Sequence, residues 1–164
     1  MRSFILSLSI ATMLMCACKK ENSTKYKYAV YAQKNNAIWI AKNPYTGFVN
    51  ANSKDSVLII AHAGEETLEI KFKSKGAGTY LQPDLNAYYY TTIGFDVVIS
   101  EYKLSNTPTN KLIINSYDEG NNIITGQFNL TFQKLRDDNK YSPDNIVFTN
   151  GILNAPVHYV KPIY

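Results

Sequence analysis

Between Ile123 and Gln133 the chain alternates without a break. Ile124, Gly126, Phe128, Leu130 and Phe132 interleave with Thr125, Gln127, Asn129, Thr131 and Gln133. Successive side chains of a strand point to opposite faces, so this pattern predicts a strand with one dry and one wet side. Thr67 to Lys73 repeats it, with Leu68, Ile70 and Phe72 facing one way and Glu69, Lys71 and Lys73 the other. The unbroken run Val57 to Ala61, within Ser56 to Ala63, predicts a central strand covered on both faces. Ala37–Ala41, Ala87–Thr92, Val97–Leu104, Lys111–Tyr117 and Ile146–Asn154 complete the expected strands.

Turn-forming residues fall between these runs: Ala63-Gly64-Glu65, Gly76-Ala77-Gly78, Pro83-Asp84, Asn106-Thr107-Pro108, Asp118 to Asn122 and Asp137 to Asn145. Short strands spaced by roughly 8–12 residues predict an all-β fold. The reading is an antiparallel β-sandwich, with a calycin- or lipocalin-like β-barrel as the alternative. A barrel would require the first and last strands to pair. No window carries helical periodicity, and residues 26–164 read as a single β domain.

The first residues follow different rules. Arg2 precedes the uncharged, mostly apolar stretch Ser3 to Met15, which is shorter than the roughly 20 residues of a spanning helix. Ala17-Cys18 then resembles the lipobox of bacterial lipoproteins, in which a small residue precedes a cysteine that is diacylated and becomes the new N-terminus. Residues 1–17 are thus expected to be a lipoprotein signal peptide, Cys18 the lipidation site, and residues 18–25 the lipidated cysteine with a polar tether. Cys16 is a poorer acceptor because bulky Met15 precedes it; a plain secretory signal is the other alternative. The expected address is the bacterial cell envelope, at the outer membrane, with the leaflet left open. With both cysteines so assigned, the mature chain has no disulfide and no thiolate ligand.

Three groups of segments carry a family resemblance. Ala37-Ile38-Trp39-Ile40-Ala41 with Gly78-Thr79-Tyr80-Leu81 looks like the opening of a family of small β-rich lipoproteins typical of Bacteroidota, catalogued only as a domain of unknown function. Ile114 to Asp118 followed by Ile124 to Leu130 is similar to that family's Tyr-Asp, hairpin, Gly-x-Phe segment. Phe148-Thr149-Asn150-Gly151-Ile152-Leu153 resembles its closing Asn-Gly strand. The likeness spans Asn36 to Val157. It implies a fold and an envelope location, and brings no activity and no catalytic residues.

Candidate chemistry is sparse. Lys and Arg number 17 against 13 Asp and Glu, and the net charge of +4 is dispersed, so nucleic acid is not an expected partner. Two histidines, His62 and His158, fall short of a zinc ligand set. Asp137-Asp138-Asn139 with Asp144-Asn145 offers oxygen ligands for calcium but lacks the calcium-hand spacing and distal Glu, and reads better as a solvated turn. No metal and no cofactor is expected. Asp96, Glu101, Asp118 and Glu119 are the acids available to a carboxylate-based envelope hydrolase, the alternative function; no serine lies in Gly-x-Ser-x-Gly. The aromatic residues carry the main functional hint. Tyr88, Tyr89, Tyr90 and Tyr102 are the candidate ligand-binding residues, with Trp39 expected as a core anchor. On a strand, Tyr88 and Tyr90 face one way and Tyr89 the other. The expected function is a membrane-anchored, non-enzymatic binding or accessory domain. Its partners would be the membrane through Cys18 and a glycan, a small apolar ligand or an envelope protein.

Overall fold

Asn35 and Asn36 both take positive φ, 48° and 67°, and so close a two-residue hairpin between β1 (Ala29–Lys34) and β2 (Ala37–Lys42). Asparagine tolerates the left-handed region that this tight turn demands at both central positions. The computed structural model describes residues 27–49, 55–118, 121–137 and 142–158. The expected signal peptide, Cys18 and the whole tether lie outside the described residues.

Nine further strands follow: β3 (Tyr45–Phe48), β4 (Ser56–Ala63), β5 (Glu66–Lys73), β6 (Gly78–Tyr80), β7 (Leu85–Ile93), β8 (Val97–Leu104), β9 (Lys111–Asp118), β10 (Ile123–Asp137) and β11 (Asn145–His158). The described residues contain no helix. The strands form one large mixed sheet, all-β and sandwich-like, in the order β2-β1-β11-β3-β4-β5-β7-β8-β10-β9-β6, with β10 also pairing β11. Every pairing is antiparallel except β11 with β3, where Val157 and His158 meet Thr46 and Gly47. The first and last strands do pair, from Ala29 opposite Asn154 to Lys34 opposite Phe148. A hydrogen-bonded circuit instead closes through the two residue pairs of β3, while β2 and β6 remain as sheet edges.

The predicted alternation is realised. Leu68, Ile70 and Phe72 on β5, and Ile124, Phe128, Leu130 and Phe132 on β10, all face a common core. Three strands were not legible. β1 carries small, mixed residues, while β3 and β6 are too short to display a period. The run in β4 is covered on one face only: Val57, Ile59 and Ala61 are buried, whereas Leu58 and Ile60 are half-buried on the outer side. β10 extends to Asp137, past the expected end at Gln133, because Lys134 to Asp137 still pair with β8.

An aromatic cluster fills one end of the core. Trp39 meets Phe148 edge-on at 5.3 Å, and Tyr89 lies 5.5 Å from Phe148 and 5.8 Å from Tyr102 between ring centroids. Phe132 joins the group at 5.8 Å from Phe148. Edge and tilted contacts of this kind each add about 0.5–1.5 kcal/mol beyond simple burial.

Candidate functional site

Three inward-facing rows end in charge at the same end of the molecule. On β1 the inward residues Val30 and Ala32 are followed by Lys34. On β5, Leu68, Ile70 and Phe72 are preceded by Glu66. On β10, Phe132 is followed by Lys134. A part-buried charge needs partners, and each of these has them. Glu66 accepts the indole N–H of Trp39 at 2.6 Å and pairs with the Lys34 ammonium. Lys34 also donates to the Tyr89 hydroxyl at 3.1 Å. That ammonium is 5.4 Å from the Tyr89 ring centroid, which places it beyond the hydroxyl, near the ring plane, rather than over the π face. Its interaction is a hydrogen bond, not a cation–π contact. Burial first, and the neighbouring Glu66 carboxylate second, hold the Tyr89 phenol well above its usual pKa.

Above this layer opens a cavity of about 540 Å³, a size that accepts a small ligand. Lys34, Glu66 and the Tyr89 and Tyr102 rings form its inner side; Thr91 and Ser100, Ile99 and Ile146, and Ser142-Pro143 form the walls. Thr91 and Ser100, neighbours across β7 and β8, share a 2.6 Å hydroxyl contact. The Tyr102 hydroxyl donates to the Pro143 carbonyl at 2.9 Å, and burial raises its pKa. Lys134 donates to the Ser142 carbonyl at 2.6 Å and pairs with Asp137 at 3.0 Å and Asp144 at 3.3 Å, so its own pKa is raised, chiefly by Asp137. An ammonium thus stands among the oxygens that the sequence offered to calcium. Residues 138–141, which include Asp138 and Asn139, lie outside the described residues. Among the described residues no group of three or more His, Cys, Asp or Glu could hold a metal ion.

The four candidate tyrosines divide into two pairs. Tyr89 and Tyr102 face each other across β7 and β8, are each only 1% exposed, and reach the cavity from below. Tyr88 and Tyr90 are half-buried on the outer face, Tyr88 between Glu69 and Lys103 and Tyr90 between Thr67 and Glu101. Tyr90 borders a separate depression of about 290 Å³ with His62, Thr67 and Phe95. His62, at the end of β4, bonds the Thr67 hydroxyl through Nδ1 at 2.8 Å. Trp39 is the expected core anchor, 5% exposed.

The candidate acids are not brought together. Asp96 lies in the β7–β8 turn beside the cavity end. Asp118 lies at the far end of β9, where it accepts the Asn121 amide at 3.0 Å. Glu101 stands opposite Arg136 on β10, and Glu119 is outside the described residues. Two acids not singled out, Glu65 and Glu66, border the cavity instead. Glu65 accepts the Gly94 amide at 2.8 Å, which ties the β4–β5 and β7–β8 turns together. The signal for Glu66 was present in the sequence: it shares the parity of Leu68, Ile70 and Phe72 and so had to end a dry face. Lys34 was hidden because β1 was not legible.

Fold and site define an all-β domain whose core is closed at one end by a compensated charge cluster beneath an open cavity. The chain belongs to the family described as Domain of unknown function (DUF6252), which it matches over residues 27–155. No curated protein and no solved structure matches it.

Proposed function

We propose that the protein is a lipid-anchored envelope lipoprotein whose domain binds a small ligand in the cavity above Tyr89 and Tyr102, without catalysing a reaction. The observation that carries this reading is the cavity itself. Hydrogen-bonding groups stand on its inner side and at Thr91 and Ser100, with apolar Ile99, Pro143 and Ile146 beside them. That mixture suits an amphipathic molecule held by a few directed polar contacts within an apolar wall. The two acids at the cavity already serve the fold, Glu66 holding Trp39 and Lys34, and Glu65 holding Gly94. That favours binding over hydrolysis.

The anchor rests on the Ala17-Cys18 sequence. β1 runs from Ala29 toward Lys34 at the cavity. A tether entering at Ala29 would turn the cavity end away from the membrane. Two acyl chains give stable attachment, at about 0.8 kcal/mol per buried methylene. The test combines fractionation with ligand titration. Cys18→Ala moves the protein from the membrane to the soluble fraction and removes the acyl mass. Small envelope metabolites that bind shift the emission of Trp39, and Thr91→Tyr, which fills the cavity mouth, abolishes the shift. A Cys18→Ala protein that stays with the membrane, its mass differing from the native protein's by the substitution alone, overturns the anchor. Ligand shifts that survive Thr91→Tyr overturn the cavity.

A further inference from the structure

We infer a second binding site, for a saccharide chain, on the outer face of the sheet where β11 bulges at Asn150. Between Phe148 and Ile152, β11 carries one residue more than β1 on one side and β10 on the other, and Asn150 takes the left-handed φ of 52° that this bulge needs. The bulge opens two depressions, of about 680 and 110 Å³, that share Lys111, Asn129 and Asn150. The larger is within the roughly 300–1,000 Å³ range of ligand clefts.

The polar part of the lining is of one chemical kind, set among apolar Pro108, Ile113 and Val147. Gln127, Asn129 and Asn150 supply amides, and Thr109, Thr131 and Thr149 hydroxyls; among the described residues Lys111 is the single charge and no carboxylate lines either depression. A cation therefore has no counter-charge here, while a polyhydroxylated chain finds donors and acceptors together. Two of the amides are fixed in orientation. The Asn150 backbone N–H donates to Asn129 Oδ1 at 3.0 Å, which leaves Asn129 Nδ2 as a donor to the groove. Asn150 Nδ2 donates to Gln33 Oε1 at 3.1 Å, which leaves Asn150 Oδ1 as an acceptor. A preset donor beside a preset acceptor matches a vicinal diol, whose hydroxyls each give and take a hydrogen bond.

The groove wall is also held. Asn110, 3% exposed, donates to the Ser105 carbonyl at 2.6 Å and accepts the Thr131 amide at 2.7 Å, which pins the loop carrying Pro108 and Thr109 over β10. Next to the smaller depression, Tyr31 lies opposite Ile152, and Ile152 opposite Gln127. These two side chains offer an apolar shelf for the C–H faces of sugar rings.

The test is a ¹⁵N-resolved NMR titration of the full protein with mannohexaose and, separately, hexagalacturonate. Either sugar is expected to shift the side-chain amides of Gln127, Asn129 and Asn150 while leaving Thr91 and Ser100 unmoved. Asn150→Gly keeps the backbone conformation, since glycine suits positive φ, and removes the carboxamide. It should weaken binding at least tenfold with the melting temperature preserved. Lys111→Gln should weaken only the acidic sugar. The inference is overturned if neither sugar moves these amides at millimolar concentration, if the shifts map to the cavity instead, or if Asn150→Gly binds as tightly as the native chain. Because the cavity and the anchor play no part, each of these results leaves the reading of the cavity intact.

Discussion

Phe128 and Gly151 face each other across β10 and β11 so closely that a Cβ on Gly151 would stand 2.5 Å from two carbons of the phenyl ring. The Gly-x-Phe and Asn-Gly motifs, far apart in the chain, are therefore one packing unit. Asn150 makes the bulge, and Gly151 leaves the space that Phe128, 2% exposed, fills. Gly151→Ala forces the ring or a strand to shift, which in a packed core costs about 1–3 kcal/mol. Phe128→Ala should cost about 3–5 kcal/mol, and Gly151→Ala added to it far less than on its own. Urea unfolding of the two single variants and the double variant measures this; additive losses would refute the contact.

Glu66→Gln and Glu66→Ala separate charge from hydrogen bonding at the cavity's inner side. Either leaves the Lys34 ammonium without its carboxylate, and the alanine also strands the Trp39 N–H. Because Lys34 and Glu66 are partly exposed, the expected loss is about 1–3 kcal/mol for alanine and less for glutamine. Chemical denaturation followed by Trp39 fluorescence reads both, with Lys34→Met closing a double-mutant cycle.

Alkaline pH should unfold the protein through its buried phenols. Tyr89 and Tyr102 have folded-state pKa values raised above the ordinary 10.0. Their contribution to stability is thus fully present below that value and is lost as pH rises beyond it, because the unfolded chain releases protons that the folded chain keeps. Lys134, raised as well, acts in the same direction. Phenolate absorbance during a pH titration should show Tyr89 and Tyr102 staying un-ionised until the fold is lost. Tyr89→Phe should lessen the fall in melting temperature above pH ~10.

Phe95 is held at φ 69° in the β7–β8 turn, 75% exposed, with Ile93 and Val97 exposed beside it. A bulky residue in the left-handed region is strained by about 1–2 kcal/mol, and an exposed ring recovers little of that by burial. Phe95→Gly should therefore stabilise the fold or leave it unchanged. A loss above ~1 kcal/mol in a thermal or urea melt would show that the ring packs in solution.

Thr46 is fully buried on β3, and its hydroxyl has no hydrogen-bond partner among the described residues. An unpaired buried hydroxyl costs about 1–3 kcal/mol, so isosteric Thr46→Val should raise stability by about 1 kcal/mol. A drop instead would point to a partner for Oγ1.

Ile124 to Phe132 and Leu68 to Phe72 were legible because a strand buried on one face writes its environment into every second residue. The strand ends of β4 and β8 were legible for the related reason that turn residues bracket their apolar runs. The site was harder to read. Tyr89 was singled out, yet its chemistry depends on Lys34 and Glu66, which stand 32 positions apart. Lys34 belongs to a strand whose small and polar residues carry no clear period.

Periodicity and turn chemistry, which are local, determined that this chain would be an all-β domain and which residues of β5 and β10 would be dry. Partnership was decided only in three dimensions. A charge at the end of one apolar row needs its counter-charge at the end of another, and Asn150 needs two neighbouring strands to become a bulge. Pairing between distant strands sets both, and no local window of the chain contains it.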